Sequence, residues 1–242
     1  MDVHKPKPVH GLREFLSEIL VVVTGIVIAL SGEQLVEAIH WQHKVESVEA
    51  AIKLELGDDL AFAHYVELFD PCAEKFMDRL QAAVVAGDAA TVAKLDAVRE
   101  DPFPAMPWST STFTAAIGSQ VEDHLPEGRL AHYSREFTWI PLEMEYQNKL
   151  YDNLAASTTA RFGLSRSAET VDRQLATIDR LRADSHGRRG LAEAMLEYGR
   201  VTLALKRPPS PQDNTEAAEA KACEMHIEAI LPVAKVGPKI KS

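Results

Sequence analysis

The chain has 242 residues, room for one or two domains, and its 46% hydrophobic and 26% charged residues argue against wholesale disorder. A formal net charge of −10, spread along the chain, argues against nucleic acid as a partner, because neutralising phosphates needs a basic surface. Aromatic residues are sparse at 7%, while Ala, Leu and Glu are abundant, a mixture that favours helices over sheets.

The first element is the apolar stretch before Trp41. No charge lies between Glu18 and Glu33, and Ile19, Leu20, Val21, Val22, Val23, Ile26, Val27, Ile28 and Leu30, with Gly25 and Ala29 among them, spread around every side of a helix. The uncharged part alone would be about 21 Å long, against roughly 30 Å of hydrocarbon in a bilayer. Counted from Phe15 to Val36 it reaches about 33 Å, and the two glutamates then sit near opposite headgroup layers. The apolar side chains favour insertion by about 3–5 kcal/mol, more than a carboxylate near the interface costs. Lys5, Lys7 and Arg13 precede the stretch, and Glu33 and Glu37 follow it. This bias predicts a cytoplasmic arm over 1–14, a transmembrane helix over 15–36 and an extracytoplasmic helical domain over 37–207. The expected place is the bacterial inner membrane, single-pass, with the C-terminal domain periplasmic and the lipid bilayer as first partner. Two alternatives stand: cleavage after Ala29-Leu30-Ser31, which secretes a soluble ligand-binding domain, and a buried helix of a soluble protein.

Phe15, Leu16, Glu18, Val22, Val23, Gly25, Ile26, Ile28, Ala29 and Leu30 carry a resemblance. The stretch is similar to the opening of a broad group of uncharacterised bacterial membrane proteins. Their N-terminal helix reads Phe-Leu-x-Glu-Leu-x-Val-Val-x-x-Gly-Ile-x-Ile-Ala-Leu, and a helical domain of unknown function follows. The resemblance covers the opening of the chain only and implies an anchor, with no activity attached.

Beyond it, Leu35, Ile39, Val45, Val48, Ile52, Leu56, Leu60 and Tyr65 predict one helix from Glu33 to Phe69, which Asp70-Pro71 should end or kink. Shorter helices are expected over Pro71–Ala86 and Ala89–Val98, then a loop in "DPFPAMPWST". Ser109 or Thr110 would cap a helix running to Asp123. A long helix from Pro126 to Phe162 should bend at Pro141. Ser167 would cap the next, whose stripe is Val171, Leu175, Ile178 and Leu181. "ADSHGRRG" reads as a turn before a helix from Leu191 to Lys206. Residues 208–242 supply a proline-rich linker, a short helix over Thr215–Ile230 and a tail with Lys235, Lys239 and Lys241. The expected fold is all-α: a transmembrane helix continuing into a long helix, followed by a helical bundle with short connections.

Chemistry is thin. Glu37, His40 and His43 follow at three-residue spacing and are candidate metal ligands, but a ferritin-like site needs a second Glu-x-x-His that the chain lacks. A polar collar with Trp41 at the membrane surface explains them more simply. Cys223 and His226 form a lone pair of ligand types, and Cys72 and Cys223 read first as two separate buried thiols, with a disulfide as the alternative if the domain lies outside the cytoplasm. The hydroxyls of "WSTSTFT" suit helix capping, Ser185 and His186 are too close in sequence for triad geometry, and no cofactor motif appears. Gly25 and Ala29 permit close helix approach, hence a homo-oligomer or a membrane-protein partner. The function expected is a membrane-anchored binding or scaffold protein acting through protein contacts. The competing expectation is a metal-binding protein or metalloenzyme using His40 and His43.

Overall fold

The computed structural model describes residues 11–97, 101–126, 128–159, 168–201 and 213–230. Among them are six α-helices and one short 3-10 turn, with no strand. The first helix, α1 (Leu12–Ala86), has 75 residues. At 1.5 Å per residue it is about 110 Å long. It stops where Gly87 turns left-handed (φ 68°) and the Gly87 and Asp88 amides donate to Val84 and Ala83, satisfying the last carbonyls.

α1 has two unlike halves. Up to His40 every described side chain is exposed, and this part is long and apolar enough to cross a membrane. From Glu49 the helix is buried on one seam that advances by alternating three- and four-residue steps: Glu49, Ile52, Leu56, Asp59, Ala63 and Val66, then Ala73, Met77, Leu80 and Val84. The expected break at Pro71 does not occur. Pro71 and Glu67, whose carbonyl loses its helical donor, both face solvent, so the missing bond costs little there. Phe69, Cys72, Ala73 and Phe76 are buried on either side and hold the axis through it.

Asp88 caps α2 (Ala89–Asp96) by accepting from the Ala90 and Thr91 amides, each at 3.1 Å. The proline loop leads into α3 (Ser111–Ile117), shorter than expected because Gly118 follows and Gln120 turns left-handed (φ 62°) before the 3-10 turn Val121–His124. α4 (Arg129–Thr159) runs unbroken past Pro141, and α5 (Ala168–Val201) and α6 (Asp213–Ala229) complete the chain. The predicted turn at 183–190 is the middle of α5. Its apparent loop residues point inward: Ser185 and Arg188 are buried, and a Cβ at Gly187 would lie 2.5 Å from the Tyr146 ring. Packing overrides the local glycine preference there. The Ser167 cap, the segment 202–206, the linker residues 208–212 and the basic tail lie outside the described residues.

α1 and α5 pack along each other, α4 covers α5, and α6 covers the other side of α1. The segment 101–126 fills the angle between α1 and α4. The apolar interior has two parts. The one nearer the bare half of α1 gathers Ile52, Leu56, Ala63, Trp108, Tyr133 and Phe137. The far one gathers Phe76, Met77, Leu80, Phe103, Leu150 and Leu181, with Ala220, Cys223 and Ile227 of α6. Contrary to the expectation of separate thiols, Cys72 and Cys223 form a disulfide, with Cα atoms 5.8 Å apart across 151 residues. Sequence distance hid the pairing, because α6 returns along α1 and turns its 3–4-spaced face onto it. Tyr65 donates to Glu219 at 3.1 Å, and Lys75 pairs with Glu224 at 2.8 Å and with Glu228.

Candidate functional site

The bare half of α1 meets the bundle at a collar of polar and aromatic side chains. Trp41 stacks on His124 with ring centres 3.8 Å apart, and Lys44 lies 4.7 Å from the Trp41 centroid while donating to the Ser119 carbonyl. One turn deeper, Glu49 is buried and accepts from Arg129 Nη1 at 2.6 Å and from Tyr133 Oη at 2.7 Å, with Lys53 at 3.0 Å. Burial pushes the Glu49 carboxyl up, but these donors together outweigh it and hold the group below its ordinary range. Between these layers an open groove of about 670 Å³ is lined by Gln34, Glu37, Trp41, Glu46, His124 and Arg129, among others. Its mixed walls suit contact with a polar chain or headgroup better than enclosure of a small apolar ligand.

The sequence candidates fall on this collar without converging. Glu37 lines the groove, His40 meets Trp41 edge-on at 6.0 Å, and His43 is exposed with Glu46 at 4.0 Å. Steps of three residues drift about 60° round a helix, so the first and third of the set point away from each other. Among the described residues, no group of three or more His, Cys, Asp or Glu side chains is placed to hold a metal ion. Cys223 is committed to its disulfide, so the pair with His226 is not a thiolate ligand set. Ile19, Val23, Ile26 and Leu30 stand 43–54% exposed on one face, Leu20, Val21 and Ile28 stand 66–69% exposed on others, and a Cβ on Gly25 would touch nothing, so this length of α1 is bare on all sides.

Inside the bundle several polar residues have structural partners. The α3 start is capped from α1: Glu55 accepts from Ser109 Oγ at 2.6 Å, Ser111 Oγ at 3.0 Å and the amides of Thr112 and Phe113 at 3.0 and 3.1 Å. Thr110 occupies the cap position but its side chain makes no capping bond. Burial alone would raise the Glu55 carboxyl, yet these donors leave it lowered. Arg188, read from the sequence as part of a solvated turn, instead ties α5 to the proline loop through the Pro104 carbonyl at 2.9 Å and lies 3.6 Å from Glu143. Gln147 and Tyr151 hold the same loop through Met106 and Phe103. His186 turns to Glu74 of α1 at 2.5 Å while Ser185 is buried, so this neighbouring pair does not act together. Sequence reasoning missed Glu55 and Arg188. Neither carried a usable signal, because at three- and four-residue spacing Glu55 is followed by Asp58 and Asp59 and Arg188 is preceded by Asp184 and Ser185. No family model, curated protein or solved structure matches this chain.

Proposed function

We propose that this is a single-pass anchored scaffold protein of a bacterial inner membrane, with α1 spanning the bilayer over residues 15–36. The arm before it is cytoplasmic, and the bundle stands in the periplasm and works by binding other proteins. On this reading the chain is related to the group of membrane proteins that its opening resembles. The observation that carries the proposal is the bare first half of α1: an 18-residue apolar window none of which is covered by the protein's own helices. In water such a surface would be far larger than the apolar patches soluble monomers expose. Three further features agree. The basic residues precede the span. Trp41 sits where the apolar stretch gives way to polar groups, the depth aromatic belts prefer. The Cys72–Cys223 disulfide belongs to an oxidising compartment.

Carbonate washing of membranes, followed by protease treatment of spheroplasts, tests it. The chain should stay in the washed membrane and its bundle should be digested from outside. Thiol alkylation of intact cells should label neither cysteine until a reductant is added. Release by carbonate, or a bundle protected until the inner membrane is broken, overturns the proposal.

A further inference from the structure

Three carboxyl groups inside the bundle have no good ionic partner. Asp59 lies on the buried seam of α1, and Glu136 and Glu143 lie on the inward face of α4 with Tyr133, Ile140 and Leu150. All three are at most 1% exposed. Among the described residues, Asp59 Oδ2 and both oxygens of Glu136 and of Glu143 find no hydrogen-bond partner. A carboxylate in such a place is costly, and a neutral acid far less so.

We infer that the bundle is stabilised by mild acid: Asp59, Glu136 and Glu143 are enclosed among α1, α4, α5 and the segment 101–126 as neutral acids, and their ionisation as pH rises loosens α1 and α4 from their neighbours. The inference does not depend on the membrane anchor.

The groups facing each acid support this. Glu136 is wedged against Leu60 of α1 and the backbone of α5, where a Cβ on Gly199 would fall 2.7 Å from Leu60 Cδ1 and 3.4 Å from Glu136 Oε1. The cation acting on it, Arg135, is its own neighbour in α4 and lies over the Trp139 and Tyr198 rings instead. Glu143 faces Arg188 Nε of α5 at 3.6 Å, beyond hydrogen-bond reach, while Nη2 of that guanidinium donates to the Pro104 carbonyl and to Gln147, and Asp101 and Tyr151 share its field. Asp59 receives the Ser109 amide at 3.2 Å, while Glu55 and Asp58 of its own helix repel a charge there. Burial accordingly pushes Glu136 up to about 8, and Asp59 and Glu143 to about 7.

The sign follows from proton counting. Between about pH 4.5 and 8 the folded state holds more protons on these groups than the unfolded chain, so stability falls as pH rises. Glu49 and Glu55 are shifted the other way, so their contribution is lost as pH falls below their ordinary range. The two trends place the optimum near pH 5.

The test is thermal unfolding of the full chain in nanodiscs between pH 5 and 8.5, with infrared detection of protonated carboxyl groups at pH 6.5. The midpoint should drop by about 10 °C across the range, more than an ordinary acidic surface gives. Glu136→Gln, which copies the neutral acid, should remove about a third of the drop and part of the protonated-carboxyl band. A wild-type midpoint that stays flat, or a folded Glu136→Gln with the full drop, overturns the inference. Should Glu136→Gln fail to fold, the wild-type infrared band decides: its presence supports the inference and its absence overturns it.

Discussion

α1 is one uninterrupted helix with two kinds of surface. Residues 12–40 are exposed on every side and apolar all round between Glu18 and Glu33, while residues 49–84 bury one mostly apolar seam that the neighbouring helices and the segment 101–126 cover. Both halves have the same backbone, so helicity alone does not tell which medium each was selected for. The distribution of side chains round the axis does. A helix greasy all round has no polar face to offer water, and a helix with a single seam needs neighbours on that seam only. The boundary falls between His40 and Glu49, where Trp41, Lys44 and Glu49 begin the stacked rings and ion pairs that the bare length lacks.

Charging the bare half should break the contrast most severely. Val23→Arg with Ile26→Arg adds about 5–7 kcal/mol to the cost of insertion, more than the stretch gains, so carbonate should release most of the chain while bundle unfolding stays unchanged. Next comes the disulfide that fastens α6 to the covered half. Cys72→Ser with Cys223→Ser opens a loop of 151 residues and should cost about 2–5 kcal/mol in urea unfolding, without affecting membrane retention. Leu56→Ala, at a fully buried seam position, should cost about 2–4 kcal/mol, whereas Leu54→Ala two residues away, 69% exposed, should change stability by less than about 0.5 kcal/mol. A smaller effect is expected from Glu55→Ala, which frees the amides of Thr112 and Phe113. About 1–2 kcal/mol should be lost, and hydrogen exchange should quicken first in α3.

Much of this was legible in the residues. The apolar stretch and the recurring Ile52, Leu56 and Leu60 announced a long helix, and helix-forming composition announced the class. Errors gathered at Pro71 and at Gly187 and Gly190, residues that punctuate a chain when read locally. Both are absorbed here by contacts that sequence spacing does not display: the buried side chains flanking Pro71, and the Tyr146 ring over Gly187. The acids Asp59, Glu136 and Glu143 carry no mark of burial in the sequence, because polar residues on a helix usually face water. At the collar, the residue types were visible and the stacking of Trp41 on a histidine 83 positions later was not, since nothing in the intervening sequence encodes that return.

Because α1 has no joint between Val36 and Glu49, angular phase is carried rigidly along it. Each residue turns the helix by about 100° and lengthens it by about 1.5 Å. One alanine inserted after Gln42 would therefore swivel the whole bundle about a third of a revolution relative to the greasy end. Seven would bring it back nearly to its starting azimuth, some 10 Å further out. A partner gripping both ends of this shaft would feel twist before it felt distance.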